Sequence, residues 1–495
     1  MKTKRVCCLL LLSALLASCG ETAAASSAGT EPSNPVIGET EAVTEEAYPD
    51  PGIEAVDGGG RDFVFLTRNT GETYCFPYDE IFSEGENGDV INDAVFRRNS
   101  MVGEKYNVNI VGVTDSGYSN LLQKAVKADD KLYDVAFPMI GMTFPLITGG
   151  YLYELSELPY VDVTKPWWIG GIIDSTSIAG KNFFYPGDVN LSALNTVGIV
   201  YFNKSLANEL DITDIYDTVK NGGWTFDKLK EYAHNITNDV NGDGVYNGED
   251  AYGLTCNNFV WQPLFFGTDS TMVEKDADDI PRLVWDTEKS INVLNGISGL
   301  LNDRSSTILV NQFPELQDAG GWGNASIRMF SENRALFWIE IIYGVPQLRD
   351  MGQDFGILPM PKYDGAQDHY TSYIHPGHAS ATVVPVTNDD LDLTGRILED
   401  MSYQSYRLVR PEFYDKTLKT KQARDEESAE MLDIIYSNVK LDLALVIGLS
   451  IDQLVRTEVT NNSNNFVSAF SKQRNSIEKS LQKGVDAILA MGDAE

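Results

Sequence analysis

Strand-like and helix-like segments alternate through the first part of the chain beyond residue 60. The order is strand, helix, strand, helix and strand, at residues 61–67, 91–106, 108–113, 121–128 and 132–137. Parallel neighbouring strands need a long crossover, which is usually a helix, so this alternation predicts βαβ units and a mainly parallel sheet. The chain is therefore expected to be an α/β protein.

The rest of the chain continues in this style and ends in helices. Four further strands are predicted, at residues 181–186, 196–202, 355–361 and 379–385. Thr225 is placed to cap a helix, because its hydroxyl can accept a hydrogen bond from a backbone N–H of the first turn. The last third carries apolar residues at helical spacing, which predicts a helical C-terminal segment.

The N-terminus has the layout of an export signal. Three basic residues within the first five precede an apolar run at residues 6–17, which is too short to span a bilayer as a mature helix. The run ends in Leu16-Ala17-Ser18-Cys19, which resembles a bacterial lipobox. Residues 1–18 are therefore predicted to be a lipoprotein signal peptide, with a diacylglycerol on Cys19. The alternative is a plain secretory signal followed by an incidental cysteine.

Residues 19–60 are predicted to form a disordered tether. The segment is rich in Ala, Ser, Thr, Pro, Gly and Glu, and it holds no Lys or Arg before Arg61. Such a composition buries too little apolar area to offset the chain entropy lost on folding. A lipid, a tether and a globular part in this order indicate a protein held at the extracellular face of a bacterial cell membrane.

The charge balance restricts the partners. The chain holds 38 Lys and Arg residues against 72 Asp and Glu residues, a net charge of −34. This balance argues against binding nucleic acid or anionic lipid through a basic face. The sequence also contains no Gly-x-Ser-x-Gly, His-Glu-x-x-His or phosphate-loop motif, so it offers no signature of catalysis.

One local motif fits a calcium-binding loop. Residues 239–250 place an acid or an amide at positions one, three and five, Gly at position six and a carboxylate at position twelve. This spacing predicts a structural Ca²⁺ site. Its ligands would be the side chains of Asp239, Asn241, Asp243 and Asp250 and the carbonyl of Val245. The alternative is a solvated acidic turn without metal.

Five stretches in order resemble the extracellular solute-binding proteins of carbohydrate ABC importers, of the maltose-binding-protein-like kind. Four match a recognisable piece of that family: a Tyr-Asn-Lys-type strand, a Trp-Thr-acid helix start, a Phe-x-x-Gly-x-Ala segment and a Gly-x-x-Pro-x-Pro strand. The fifth, Asp-Val-Thr-Lys-Pro-Trp-Trp, resembles a segment common in clostridial members. The stretches are 198–206, 223–229, 330–337, 355–361 and 162–168. Asn333 stands where the family usually has Gly.

The resemblance implies a two-lobed periplasmic-binding-protein type II fold with a helical C-terminal segment. Lobe 1 would take residues 61–188 plus 355–390, and lobe 2 would take residues 189–354 plus 391–495. Crossing strands would join the lobes, which would close on a ligand in the cleft between them.

A sugar site needs aromatic faces for stacking and polar groups for hydroxyls. Trp322, flanked by glycines, and Tyr343 are the predicted stacking surfaces, and Glu340, Asp188 and Asn190 are expected to bind hydroxyls. Trp167 and Trp261 complete the predicted ligand-binding set. The alternative for each aromatic residue is ordinary core packing, which is the role predicted for Trp338.

The function implied by the resemblance is capture of a sugar or oligosaccharide outside the membrane for import, without catalysis. The partners would be the carbohydrate and the permease subunits, with the membrane touched only through the lipid and the protein a monomer. Two alternatives remain open from the sequence. One is a surface glycoside hydrolase or esterase, and the other is a receptor for a different solute, such as a peptide or a polyamine.

Overall fold

The computed structural model describes residues 50–69, 78–234, 236–317, 321–348, 350–418 and 426–492. Of residues 321–323, 415–418, 426 and 492, the description covers the backbone alone. The predicted signal peptide, Cys19 and the predicted tether as far as residue 49 lie outside the described residues.

Twelve strands are described. They are β1 Asp62–Thr67, β2 Asn109–Thr114, β3 Val135–Ala136, β4 Gly198–Asn203, β5 Tyr252–Cys256, β6 Val273–Lys275, β7 Pro281–Leu283, β8 Thr307–Leu309, β9 Ala335–Ile341, β10 Phe355–Leu358, β11 Ser372–Tyr373 and β12 Val439–Lys440.

The α-helices of the described residues number eighteen. They are α1 Val90–Tyr106, α2 Tyr118–Lys127, α3 Thr143–Thr148, α4 Gly170–Thr176, α5 Leu191–Asn195, α6 Lys204–Glu209, α7 Ile215–Lys220, α8 Phe226–Ala233, α9 Trp261–Gly267, α10 Glu288–Leu301, α11 Gly321–Ser331, α12 Gly344–Gln347, α13 Leu391–Gln404, α14 Arg410–Leu418, α15 Glu426–Ser437, α16 Leu443–Ile447, α17 Ile451–Thr460 and α18 Phe466–Leu489. A π-helical turn, Ser405–Val409, joins α13 to α14.

The first sheet confirms the predicted βαβ start. Its order is β2-β1-β3, and both pairings are parallel. Helix α1 makes the crossover from β1 to β2, and its first turn is capped by Asp89, whose side chain accepts hydrogen bonds from the N–H groups of Ile91 and Asn92. Asn107 ends the helix in the left-handed region, with φ at 47°. The spacing of apolar residues was sufficient to predict this part.

The folded part begins earlier than the predicted tether boundary. The Gly58 N–H donates to the carbonyl of Tyr106 at 2.7 Å, and the Gly60 N–H donates to that of Asn107 at 2.7 Å. Ile53 and Val56 pack against the core beneath the first sheet. The prediction of disorder as far as residue 60 is therefore wrong for the end of that segment, because its apolar residues pack against the hydrophobic core.

The second sheet has the order β10-β4-β9-β5-β8. Strands β5, β8 and β9 are parallel, whereas β4 pairs antiparallel with both β9 and β10. Within this part of the chain, Thr225 caps α8 as predicted, with its side chain accepting from the Lys228 N–H.

The predicted return to the first lobe at residue 355 is wrong. Strand β10 pairs with β4, from Phe355 opposite Asn203 to Leu358 opposite Val200, and so belongs to the second sheet. The chain rejoins the first sheet later, where Val383 bridges Ala136. The predicted strands at 181–186 and 379–385 form isolated bridges rather than extended ladders.

Helix α13 also departs from the predicted division, which placed residues after 390 in the second lobe. Its buried residues, among them Leu393, Ile397 and Met401, share a hydrophobic core with Phe63 and Phe65 of β1. The apolar face of α13 therefore covers the first sheet. The predicted C-terminal helix is confirmed as α18.

Two segments run side by side between the part of the molecule built on the first sheet and the part built on the second. We call these segments, residues 187–197 and 374–380, the crossing segments. Val197 bridges Ile374 in antiparallel fashion, and the His375 N–H donates to the carbonyl of Thr196 at 3.1 Å. The hydroxyls of Ser192 and Ser380 lie 2.7 Å apart. No helix within the described ranges is both long and apolar enough to span a membrane.

Candidate functional site

A cavity of about 300 Å³ opens at the carboxyl ends of the first sheet. We call it the edge cavity. Arg68 and Asn69 follow β1, Asn120 lies at the start of α2, and Met139 and Met142 follow β3. Because β2 and β3 lie on opposite sides of β1, the connections leave the sheet in opposite directions, and that arrangement creates a ligand crevice in open α/β sheets. The residue patterns in the sequence did not single out any of these five.

A second cavity, of about 290 Å³, lies beside the first crossing segment, and we call it the crossing cavity. Asp188, predicted to bind hydroxyls, lies on its wall. Arg410 and Tyr436, from α14 and α15, line the same space. Its apolar wall includes Trp168, Leu194 and Val439. Residues more than two hundred positions apart in the sequence thus meet at one site.

Asp188 and Arg410 form the charged pair of the crossing cavity. Asp188 is 1% exposed, and its two carboxylate oxygens lie 3.3 and 3.4 Å from Nη1 of Arg410. Burial raises the pKa of Asp188 to about 6, and the nearby guanidinium opposes that rise only in part. Nε of Arg410 donates to the hydroxyl of Tyr414 at 2.8 Å.

Three tyrosine rings surround the Arg410 guanidinium. Its central carbon lies 5.0, 5.4 and 5.8 Å from the ring centres of Tyr414, Tyr406 and Tyr436. The rings of Tyr414 and Tyr436 stack at 5.1 Å, and the Tyr436 hydroxyl donates to the carbonyl of Leu194 at 2.7 Å. Such cation–π contacts hold an arginine in one place. A basic residue between closely spaced aromatics at 403, 406, 413 and 414 is the sequence signal that could have indicated this cluster.

Asn190, a second residue of the first crossing segment that was predicted to bind hydroxyls, is fully buried. Its Oδ1 accepts hydrogen bonds from the Gly187 N–H and the Thr382 hydroxyl, both at 3.2 Å. Its Nδ2 has no hydrogen-bond partner among the described residues. Asn190 therefore ties the crossing turn to Thr382, and it does not line either cavity.

Trp167 and Trp261 take the alternative role of core packing. Trp167 is buried and donates from Nε1 to Glu399 at 3.0 Å, and its neighbour Trp168 donates to the same carboxylate at 2.8 Å. Trp261 is buried and donates to Asp452 at 3.1 Å. Neither Trp167 nor Trp261 lines the two cavities. A turn from Lys165 to Trp168 brings the indoles of the two adjacent tryptophans to the same acid.

Glu340 and Tyr343 lie at the carboxyl end of β9. Glu340 is half-buried, its Oε1 accepts from the Ile341 N–H at 3.0 Å, and burial raises its pKa to about 7. The Tyr343 N–H donates to the carbonyl of Asn195 at 3.1 Å, which places Tyr343 against the first crossing segment. Both residues are thus near the junction of the halves without lining the crossing cavity.

Trp322 lies in the first turn of α11, and its side chain is outside the described residues. Helix α11 packs on β9 through a hydrogen bond from Nε1 of Trp338 to the Ser326 hydroxyl, at 3.2 Å. Trp338 is buried, which confirms its predicted place in the core. The role of Trp322 as a stacking surface stays a prediction.

The calcium-type loop has a compact set of internal hydrogen bonds. Asp239 accepts from the N–H groups of Gly242 and Gly244, at 2.7 and 2.8 Å. Asp250 is buried and accepts from the N–H groups of Val240 and Asn247, at 3.0 and 2.9 Å. Among the described residues, no three His, Cys, Asp or Glu side chains converge as metal ligands. Calcium binding by Asp239, Asn241, Asp243, Val245 and Asp250 stays a prediction.

We expect calcium at ~100 times its dissociation constant to stabilise the wild-type protein by ~2.7 kcal/mol, because only the folded loop gathers the ligands. Asp243→Ala should remove this gain, whereas Asp227→Ala, an exposed carboxylate on α8, should keep it. The measurement is the melting temperature in calcium and in chelator. Identical wild-type melting in the two buffers would favour the acidic turn without metal.

No protein-family model matches the sequence, and no curated protein matches it. The structure is similar to a cyclo/maltodextrin-binding protein solved in complex with maltotetraose, with a TM-score of 0.53 at 13% identity, over 88% of this chain and 98% of that chain. The fold is that of a two-lobed periplasmic binding protein. The predicted fold class is therefore confirmed.

Two further solved structures are similar at lower scores. The ABC substrate-binding protein Lmo0181 from Listeria monocytogenes, in complex with cycloalternan, has a TM-score of 0.49 at 11% identity, over 88% of this chain and 99% of that chain. The GacH receptor of Streptomyces glaucescens has a TM-score of 0.47 at 14% identity, over 86% of this chain and 97% of that chain.

Proposed function

We propose that this protein binds a carbohydrate for uptake by an ABC importer and does not transform it. The observation that carries the proposal is the crossing cavity, where aromatic rings lie beside a buried carboxylate and a partly exposed guanidinium at the junction of two lobes. The two-lobed fold is shared with a protein solved in complex with maltotetraose, which supports a sugar as the ligand.

The chemistry of the cavity suits a sugar ring. The pyranose face presents C–H groups that pack on rings such as Trp168 and Tyr436, and its hydroxyls need both donors and acceptors. Asp188 supplies an acceptor and Arg410 supplies donors within one cavity. A polar group left unmatched on either side would cost about 1–3 kcal/mol, so the pair favours a hydroxylated ligand over an apolar one.

The junction also supports a hinge. The two crossing segments contact each other through Val197 with Ile374, through the His375 N–H with Thr196 and through Ser192 with Ser380, and they form no extended strand ladder within the described residues. A few backbone torsions there can change the angle between the lobes, and a ligand that contacts both lobes favours the closed arrangement by its differential affinity.

The test is a thermal-shift screen of the purified protein against neutral oligosaccharides, peptides and polyamines. A true ligand at ~100 times its dissociation constant should stabilise the fold by ~2.7 kcal/mol. Product analysis of the same mixtures addresses the hydrolase and esterase alternatives. Stabilisation by a saccharide that is recovered intact would support the proposal, whereas turnover, or stabilisation by peptides or polyamines alone, would contradict it.

We further propose that the mature protein is anchored through a diacylglycerol on Cys19 at the extracellular face of the membrane, as a monomer that delivers the sugar to permease subunits. The lipobox order at residues 16–19 supports the anchor. Cys19→Ala should abolish lipid labelling in cells and release the protein or leave it as precursor. Unchanged lipid labelling of this variant would refute the anchor.

A further inference from the structure

We propose that the Asp188–Arg410 pair makes this site selective for uncharged sugars, rejecting both uronates and amino sugars. The inference rests on the proposed function and specifies its ligand class. The pairing of Asp188 with Arg410 does not follow from the sequence, because the pair forms only when α14 packs against the first crossing segment.

The first step is the charge of the cavity wall. Among the described residues that line the crossing cavity, Asp188 and Arg410 are the charged ones, one of each sign. The side chains of Asp188 and Arg410 are 2% and 22% exposed, so bulk water screens them little. The wall is therefore polar but carries no net charge.

The second step is the unused hydrogen-bonding capacity of the pair. The two contacts between Nη1 and the carboxylate measure 3.3 and 3.4 Å. Charge-assisted N–H···O hydrogen bonds are typically about 2.7–2.9 Å long, so these two contacts are long. The hydrogen bonds of Arg410 to the described residues use Nη1 and Nε, and no described residue accepts one from Nη2. Hydroxyl groups, which both donate and accept, can bind to the acid and the guanidinium at once.

The third step is the effect of a charged ligand. A uronate would bring a second carboxylate next to buried Asp188, and an ammonium group would lie next to Arg410, whose guanidinium is fixed by three tyrosine rings. Asp188 and Arg410 already neutralise each other, so a charged ligand group would have no free counter-charge in the cavity. Burying a charge without a counter-charge is costly. The excess of acids over the whole chain adds to the rejection of uronates.

The experiment changes one charge at a time and measures selectivity. The probes are the neutral oligosaccharide that stabilises the wild-type protein in the screen, its C6-oxidised uronate and its 2-amino derivative, each titrated by calorimetry. We expect the wild-type protein to bind the neutral sugar at least tenfold more tightly than either charged derivative. Asp188→Asn should shift the ratio of uronate to neutral affinity upward by at least tenfold, and Arg410→Gln should do the same for the amino sugar.

The matched control is Asp392→Asn. Asp392 pairs with Arg396 at 2.8 Å, and Arg396 lies over the ring of Tyr160 at 3.9 Å. This control therefore removes the charge of another acid that pairs with an arginine beside a tyrosine, at an exposed position away from both cavities. The affinity ratios of this control should match the wild type. If Asp188→Asn fails to fold, Arg410→Gln alone decides.

The outcomes separate this inference from the function on which it rests. Loss of affinity in equal proportion for all three probes, or unchanged ratios, would overturn the selectivity while leaving sugar binding intact. A wild-type protein that binds a charged derivative as tightly as the neutral sugar would overturn it as well. If no saccharide binds the wild type, the proposed function fails and the inference fails with it.

Discussion

Trp338→Ala is expected to lower the free energy of unfolding by about 3–5 kcal/mol, as large-to-small changes of buried aromatics do. Trp338 is 1% exposed on β9, and its ring stacks on Tyr201 with centres 4.7 Å apart. The ring centre of Phe330, on α11, lies 5.8 Å from that of Trp338. Truncation would leave a cavity between β4, β9 and α11 and would remove the hydrogen bond to Ser326.

Urea unfolding followed by circular dichroism would measure this loss. Trp338→Phe is the control, because it keeps an aromatic ring in the stack and should cost clearly less than the alanine variant. Sugar affinity, measured at a temperature where the variant is folded, should change little. A variant that keeps wild-type stability but loses the ligand would place Trp338 in the site and contradict its assignment to the core.

Glu399→Gln is expected to change how stability depends on pH. Glu399 is 1% exposed and accepts hydrogen bonds from the indoles of Trp167 and Trp168 and from the Asp162 N–H, the last at 3.2 Å. Burial raises its pKa from 4.5 to about 7, and the three donors offset that rise only in part. The folded protein therefore holds a proton on Glu399 over a pH range in which the unfolded chain has released it.

The sign follows from this difference. The stabilising contribution of protonated Glu399 is fully present below pH 4.5, the pKa of the unfolded chain, and is lost as the pH rises through the folded pKa of about 7. The loss amounts to at most about 3 kcal/mol. Gln cannot ionise, so its own cost, about 1–3 kcal/mol for the lost acceptor, should not vary with pH.

Unfolding free energies of the two proteins at pH 4.5, 6 and 8 would test this expectation, with their difference taken at each pH. Taking the difference removes the contributions of other titratable groups. Burial lowers the pKa values of His375 and His378, for example, so their contribution to stability increases with pH, opposite to that of Glu399. The advantage of the wild type should shrink steadily from pH 4.5 to pH 8. A constant difference would mean that Glu399 stays ionised, held by its three donors.

The sequence alone determined the elements whose signals are local. The period of apolar residues predicted β1, α1, β2 and the final helix, and the hydroxyl of Thr225 predicted the start of α8. These features depend on neighbours within about one turn or one strand, so they can be recognised without knowing the partner surface. The resemblance in five short stretches added the two-lobed arrangement.

Only the tertiary structure decided how the elements are shared between the sheets and where the charged pair forms. Strand β10 joins β4, and α13 covers the first sheet, because each buries its apolar face on the nearest complementary surface. Asp188 meets Arg410 only after α14 has packed beside the crossing segment. Among 72 acidic and 38 basic residues, no spacing marks that pair, since a long-range contact depends on packing geometry rather than on sequence period.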